Sequence, residues 1–84
     1  MKGVNTMKYV EHFSVEVKTE NEWRLIDILS SLGCVRIRRE YRRRLTIDTV
    51  MIWYRCLRTI TPEEIAESVK PVKCILHFNG VRES

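Results

Sequence analysis

The segment "LTIDTVMIWYRCL", residues 45–57, decides the fold. It is rich in β-branched and aromatic residues, which favour β-strands. Apolar side chains occur in both of its alternating phases: Ile47, Met51, Trp53 and Leu57 in one, and Val50, Ile52, Tyr54 and Cys56 in the other. A strand that is apolar on both sides is usually an inner strand with something covering each face. We therefore predict that residues 45–57 form an inner strand of a sheet.

The residues just before this segment predict a second strand, paired with it as a hairpin. Val35, Ile37 and Tyr41 alternate with charged residues, which is the pattern of a half-buried strand. In this phase we expect Val35 and Ile37 to face the core. We then expect Arg36 and Arg38 to face the opposite side of the sheet.

The N-terminal part of the chain predicts a strand followed by a helix. Residues 9–17 alternate between apolar and polar, with Phe13, Val15 and Val17 in the inward phase. The sequence "TENE", residues 19–22, then matches a capping box, in which Thr19 and Glu22 satisfy each other's backbone amides. Apolar residues at helical spacing follow as far as Leu32, and a glycine at position 33 suits the helix end.

The C-terminal part repeats this arrangement with a shorter helix and a last strand. In "ITPEEIAESV", residues 60–69, Thr61 is the expected N-cap, Pro62 the first helical residue and Glu64 the partner in a second capping box. A final strand with Val72, Cys74, Leu76 and Phe78 in one phase is expected to end at Asn79-Gly80.

The element order β-α-β-β-α-β predicts an α+β fold of the ferredoxin-like type. This fold is a four-stranded antiparallel sheet, order 4-1-3-2, with both helices on one face. We expect a flexible leader at residues 1–7, one domain at 8–80 and a C-terminal tail at 81–84. The layout resembles that of ACT-like small regulatory domains. That resemblance implies a sensor of a small ligand bound at a glycine-containing turn after the first strand. The corresponding turn here, "KTENE" at residues 18–22, has no glycine, so no ligand-binding residue is assigned.

The positive charge is concentrated in the predicted hairpin. The chain has a formal net charge of +4, and residues 35–45 hold one acid, Glu40, among a group of arginines. Because the guanidinium group suits phosphate, the cluster predicts binding to a polyanion such as nucleic acid. Two alternatives are an acidic protein partner and protection of an edge strand against aggregation. The candidate binding residues are Arg36, Arg38, Arg39, Arg42, Arg43 and Arg44.

A second prediction concerns the sheet face away from the helices. If Val50, Ile52 and Tyr54 lie on that face, they form an apolar patch, and such patches mark interfaces. We therefore predict a homodimer or partner interface at these three residues. The alternative is a face assignment shifted by one residue, which exchanges Trp53 for Tyr54. The glycine-containing signature of RNA-recognition motifs is absent from this strand.

The sequence gives little support to catalysis, a cofactor or a metal. It contains no glycine-rich phosphate loop and no nucleophile elbow, and His12 and His77 lie far apart in sequence. We predict a non-enzymatic cytoplasmic module with no cofactor, no metal and no membrane association. The three cysteines, an odd number without close spacing, are expected to be reduced. Cys34 lies beside several arginines, and exposure there would lower its pKa.

Overall fold

The computed structural model describes residues 7–83, so residues 1–6 of the expected leader and Ser84 lie outside the described residues. The elements in chain order are β1 (Lys8–Lys18), a 3-10 helix (Thr19–Asn21), α1 (Glu22–Ser31), β2 (Cys34–Arg44), β3 (Ile47–Cys56), α2 (Pro62–Ser68) and β4 (Cys74–Glu83). The four strands form one antiparallel sheet in the order β2-β3-β1-β4. The predicted α+β class, with a four-stranded antiparallel sheet and two helices, is confirmed.

The core lies between the two helices and one face of the sheet. On β3 it contains Val50, Ile52 and Tyr54, each at most 1% exposed. The register with β1 explains this, because these three residues stand directly opposite Val17, Val15 and Phe13. Side chains opposite each other in a sheet lie on the same face. The helices contribute mainly Leu25, Leu29 and Ile65.

The placement of Val50, Ile52 and Tyr54 on the uncovered face is therefore wrong. Both phases of β3 are apolar, so its periodicity alone does not say which phase the helices cover. The exposed phase holds Trp53, as in the alternative assignment, together with Met51, and both side chains are half-buried. We call the side of the sheet away from the helices the open face. Its side chains include His12, Ser14, Glu16, Arg38, Glu40, Arg42, Thr49, Met51, Trp53, Arg55, Ile75 and His77.

A β-bulge at Ile37 determines which arginines of β2 reach the open face. Arg36 pairs with Tyr54, whereas Arg38 pairs with Trp53, the next residue on β3, so Ile37 is the extra residue. The bulge reverses the alternation of β2 from this point. Arg36 lies on the helix side and Arg38 on the open face. The prediction that both face the open side is wrong for Arg36. The inward placement of Val35 and Ile37 is also wrong, since they are 40% and 59% exposed.

The two helix starts differ in how their backbone amides are satisfied. At α2 the predicted capping box is present: the Glu64 amide donates to the Thr61 hydroxyl at 3.1 Å, and the Thr61 amide donates to the Glu64 carboxylate at 3.5 Å. At α1 the predicted capping box is wrong. The Thr19 hydroxyl donates to the carbonyl of Asp48 instead, and the Glu22 carboxylate accepts from Arg39. The end of α1 is as predicted, with Gly33 in the left-handed region (φ 89°).

Strand ends also differ from the prediction in two places. The hairpin turn is Leu45-Thr46, so β3 begins at Ile47 rather than at residue 45, and Leu45 adopts a φ of 54°. β4 continues past Asn79-Gly80 to Glu83, because β1 supplies backbone partners as far as Lys8. A register shift between β1 and β4 around His12 lets Val10 join the core at 1% exposure.

Candidate functional site

The centre of the open face is a tryptophan covered by an arginine. The guanidinium carbon of Arg38 lies 4.7 Å from the ring centroid of Trp53, within the range of a cation–π contact. The register places Arg38, Trp53, Ser14 and His77 in one row across all four strands. Ser14, opposite Trp53, is buried and accepts a hydrogen bond from the Asn79 amide at 3.0 Å. The row therefore combines a buried hydrogen-bonded serine with a half-buried aromatic ring that Arg38 covers.

A second arginine stands beside this row and shares a carboxylate with Arg38. Glu40 accepts from Arg38 at 2.9 Å through one oxygen, and from Arg42 at 3.0 and 2.9 Å through the other. Chiefly through the hydrogen bond from Arg42, these arginines hold the pKa of the Glu40 carboxyl below its usual value. All three side chains are more than a third exposed. Exposed ion pairs contribute little free energy, so Arg38 and Arg42 can exchange Glu40 for another anion at small cost.

The helix-side arginines Arg36 and Arg39 share a carboxylate that is more buried than Glu40. Arg39 donates two hydrogen bonds to Glu22 of α1, at 2.6 and 2.9 Å, and Arg36 lies 3.7 Å from the same carboxylate. The hydrogen bond to Glu22 raises the pKa of Arg39. The Glu22 side chain is only 14% exposed. A paired Arg–carboxylate fork of this kind has a defined geometry and positions β2 against α1. These two arginines therefore have a structural partner already.

The tip of the hairpin carries a third carboxylate. Asp48 accepts a hydrogen bond from the Tyr41 hydroxyl at 2.8 Å, which raises the pKa of Tyr41, and it lies 3.5 Å from the Arg43 guanidinium. Arg43 lies on the helix side, in register with Asp48. The side chain of Arg44 lies outside the described part of the chain. The predicted cluster is thus divided between the two faces of β2, with Arg38 and Arg42 on the open face.

The structure adds Arg55 and Trp53 to the candidate site, two residues absent from the predicted binding set. Arg55 projects from β3 on the open face next to Trp53, and within residues 7–83 it has no ion-pair partner. Trp53 could be found from the sequence only through the shifted face assignment. The apolar residues Ile37 and Ile75, 59% and 57% exposed, flank the row.

The structure gives less support to the other candidate sites. No group of three or more His, Cys, Asp or Glu side chains that could hold a metal ion occurs in the described part of the chain. The His12 ring packs against Gly80. Burial raises the pKa of the Cys34 thiol to about 12, so the expectation of a lowered pKa for an exposed thiol does not apply. Neither helix within residues 7–83 is long and apolar enough to span a membrane.

Neither the protein-family models, nor the curated proteins, nor the solved structures gave a match to this chain.

Proposed function

We propose that this protein is a small non-enzymatic binding module that takes single-stranded nucleic acid across the open face of its sheet. The observation that carries this proposal is the Arg38–Trp53 pair in the middle of the open face. Proteins that bind single strands combine aromatic rings, on which bases stack, with cations that follow the backbone. Arg42 and Arg55 lie on the same face and supply that charge.

In this proposal Trp53 stacks on a base while the arginines contact phosphates. Arg42 leaves Glu40 for a phosphate oxygen, and Arg55, which has no ion pair within the described residues, needs no exchange. Arg38 moves from the ring to a phosphate beside it, which frees the ring for the base. Such contacts are electrostatic and stacking contacts, so we expect weak sequence preference and a steep dependence on salt.

We also propose that the fold is ferredoxin-like. Counted from the β4 edge, the sheet reads β4-β1-β3-β2, and residues from both helices join one core cluster on a single face. Within residues 7–83 no helix lies on the opposite face, which supports its use as a binding surface.

A second candidate function is binding of a protein partner with an acidic surface. A second copy of this chain is such a partner only if its own acidic residues form that surface. The exposed Ile37 and Ile75 favour this candidate, because exposed apolar side chains with polar residues around them mark protein interaction sites. This partner would occupy the same open face.

Fluorescence anisotropy of a labelled single-stranded oligonucleotide, at low and near-physiological salt, tests the proposal. Two double variants each remove two arginines: Arg38→Ala with Arg42→Ala on the open face, and Arg36→Ala with Arg39→Ala on the helix side. We expect the open-face variant to lose at least about tenfold in affinity and to show a shallower salt slope. The helix-side variant should lose much less. Circular dichroism confirms that both are folded.

Equal losses in the two variants would mean that total charge rather than the open face binds the strand. No binding by the wild type at low salt would overturn the nucleic-acid proposal. Binding of an acidic protein on the open face would then become the leading candidate.

A further inference from the structure

Two cysteines meet at the base of the β2–β3 hairpin. Cys34, the first residue of β2, and Cys56, the last residue of β3, are directly opposite each other in the register. Their sulfur atoms are 3.9 Å apart, and both thiols are free. The third cysteine, Cys74, begins β4, on the far side of β1. The pair therefore stands apart from Cys74.

The position of the pair in the hydrogen-bond ladder suits a disulfide. The Leu57 amide donates to the Gly33 carbonyl at 2.9 Å, so residues 33 and 57 form a hydrogen-bonded pair. Hydrogen-bonded and non-hydrogen-bonded pairs alternate along antiparallel strands, which makes Cys34 and Cys56 a non-hydrogen-bonded pair. The Cα atoms of such pairs are about 4.5 Å apart, within the range that disulfides span. Side-chain rotation alone can then bring the sulfurs to bonding distance.

We propose that Cys34 and Cys56 are a redox-responsive dithiol, which a small-molecule disulfide of the glutathione class oxidises to a cross-strand disulfide. This site is separate from the open face and does not depend on the proposed function. It would lock the base of the hairpin that carries the arginines. The oxidant has to enter at Cys56, because Cys56 is half-buried whereas Cys34 is only 2% exposed.

The reaction proceeds by two thiol–disulfide exchanges. The Cys56 thiolate attacks one sulfur of the small disulfide, forms a mixed disulfide and releases one small thiolate. Cys34 then gives up its proton to solvent, and its thiolate attacks the sulfur of Cys56 and releases the second small thiolate. The two protons given up by the cysteines are taken up by the two released thiolates. The protein loses two electrons and two protons, and the small disulfide gains them.

The surroundings of the two thiols support this order of attack. Burial raises the pKa of both thiols, to about 12 for Cys34. The hydrogen bond between the thiols partly offsets the increase in pKa at Cys56 and adds to it at Cys34, while Arg58 lowers the pKa of both. Arg58 is fixed beside the pair because its guanidinium donates to the Leu32 carbonyl at 2.7 Å.

The test is intact mass and non-reducing peptide mapping after incubation of the whole protein with oxidised glutathione. The wild type and a Cys74→Ser variant should both lose the mass of two hydrogens, with Cys34 linked to Cys56. A Cys34→Ser variant should stop at a mixed disulfide on Cys56. The oxidised protein should also melt several degrees higher, because the crosslink closes the loop that holds the hairpin.

Three outcomes would overturn the proposal: three unmodified thiols, a stable mixed disulfide on Cys56 while Cys34 is present, or a crosslink that involves Cys74. Because the mapping is decisive on the wild type, failure of a serine variant to fold does not remove the test.

Discussion

Arg36 and Arg38 are two residues apart on strand β2, yet their side chains lie on opposite faces of the sheet. Residues at positions i and i+2 of a regular strand share a face. Here Ile37 is inserted as a bulge, so Arg36 pairs with Tyr54 above the core and Arg38 with Trp53 on the open face. One inserted residue thus gives each face of β2 its own arginines and its own acidic partner, Glu22 on the helix side and Glu40 on the open face.

This division makes a charge-matched comparison possible. Glu40→Gln and Glu22→Gln each remove one negative charge and each release two arginines, on the open face and on the helix side respectively. We expect Glu40→Gln to tighten binding of a single-stranded oligonucleotide several-fold at low salt, because Arg38 and Arg42 no longer have an internal competitor. Glu22→Gln should change affinity much less. Anisotropy titrations of the two variants check this, and a larger gain for Glu22→Gln would contradict the assignment of the site to the open face.

The buried hydroxyl of Tyr54 is expected to reduce stability. It has no hydrogen-bond partner among the described residues, and a buried unsatisfied polar group carries a desolvation penalty. Tyr54→Phe removes the hydroxyl and keeps the ring stacked on Phe13, 5.4 Å away between centroids. We therefore expect the variant to be more stable by about 1 kcal/mol near neutral pH. Urea unfolding at constant m-value measures this, and a loss of stability would show that the hydroxyl has a favourable partner.

The same tyrosine predicts how stability falls at alkaline pH. Burial raises the pKa of Tyr54 to about 12, whereas an unfolded tyrosine has a pKa of about 10. Between these values the unfolded chain releases a proton that the folded protein retains, so stability present below pH 10 is lost as pH rises toward 12. The unfolding free energy of the wild type minus that of Tyr54→Phe should decrease over this pH range. A difference between the two proteins that does not change with pH would contradict it.

Strain at the hairpin turn gives another stability prediction. Leu45 has a φ of 54° and is 94% exposed, so the side chain gains almost no packing in a conformation that branched and bulky residues avoid. Asparagine tolerates this conformation, so Leu45→Asn should stabilise the protein by about 1 kcal/mol. The control is Leu57→Asn, at an exposed leucine without positive φ. Equal effects of the two substitutions would show that exposure rather than backbone strain is responsible.

The close approach of His12 to Gly80 predicts coupling between these residues. A Cβ atom at Gly80 would lie 2.6 Å from Cδ2 of the His12 ring, so Gly80→Ala has to displace the imidazole. We expect a loss of about 1 kcal/mol in the wild-type background. In a His12→Ala background the same change should be neutral or stabilising, since the only remaining effect of alanine is to reduce the conformational freedom of the unfolded chain. A double-mutant cycle measures the coupling, and strictly additive effects would contradict it.

The sequence predicts correctly those features of the fold that residues close together in the chain determine. The Thr61–Glu64 capping box, the end of α1 at Gly33 and the inward phase Phe13, Val15 and Val17 all depend on short-range patterns, and all are confirmed. The α1 capping box is wrong because tertiary contacts compete for its two side chains: Glu22 is taken by Arg39 of β2.

The candidate site was harder to predict because it depends on register. The bulge at Ile37 has only a weak local signal: Arg39 interrupts the alternation of Val35, Ile37 and Tyr41, but this alone does not show where the extra residue lies. For β3, the choice between the Tyr54 and Trp53 phases is made by the pairing with β1, a long-range contact. The arginine cluster itself was evident from composition, but its division between faces was not.

The most direct test of the central claim uses the two tryptophans as separate reporters. Trp23 lies on α1 and is 67% exposed, so Trp23→Phe leaves Trp53 as the only tryptophan at little structural cost. Titrating this variant with a single-stranded oligothymidylate at low salt should quench Trp53 fluorescence saturably, because a base stacks on the ring, and salt should reverse the quenching. The matched Trp53→Phe variant, which reports on Trp23, should show no such change. Unchanged Trp53 emission at concentrations where anisotropy shows binding would contradict the claim that nucleic acid is bound on the open face.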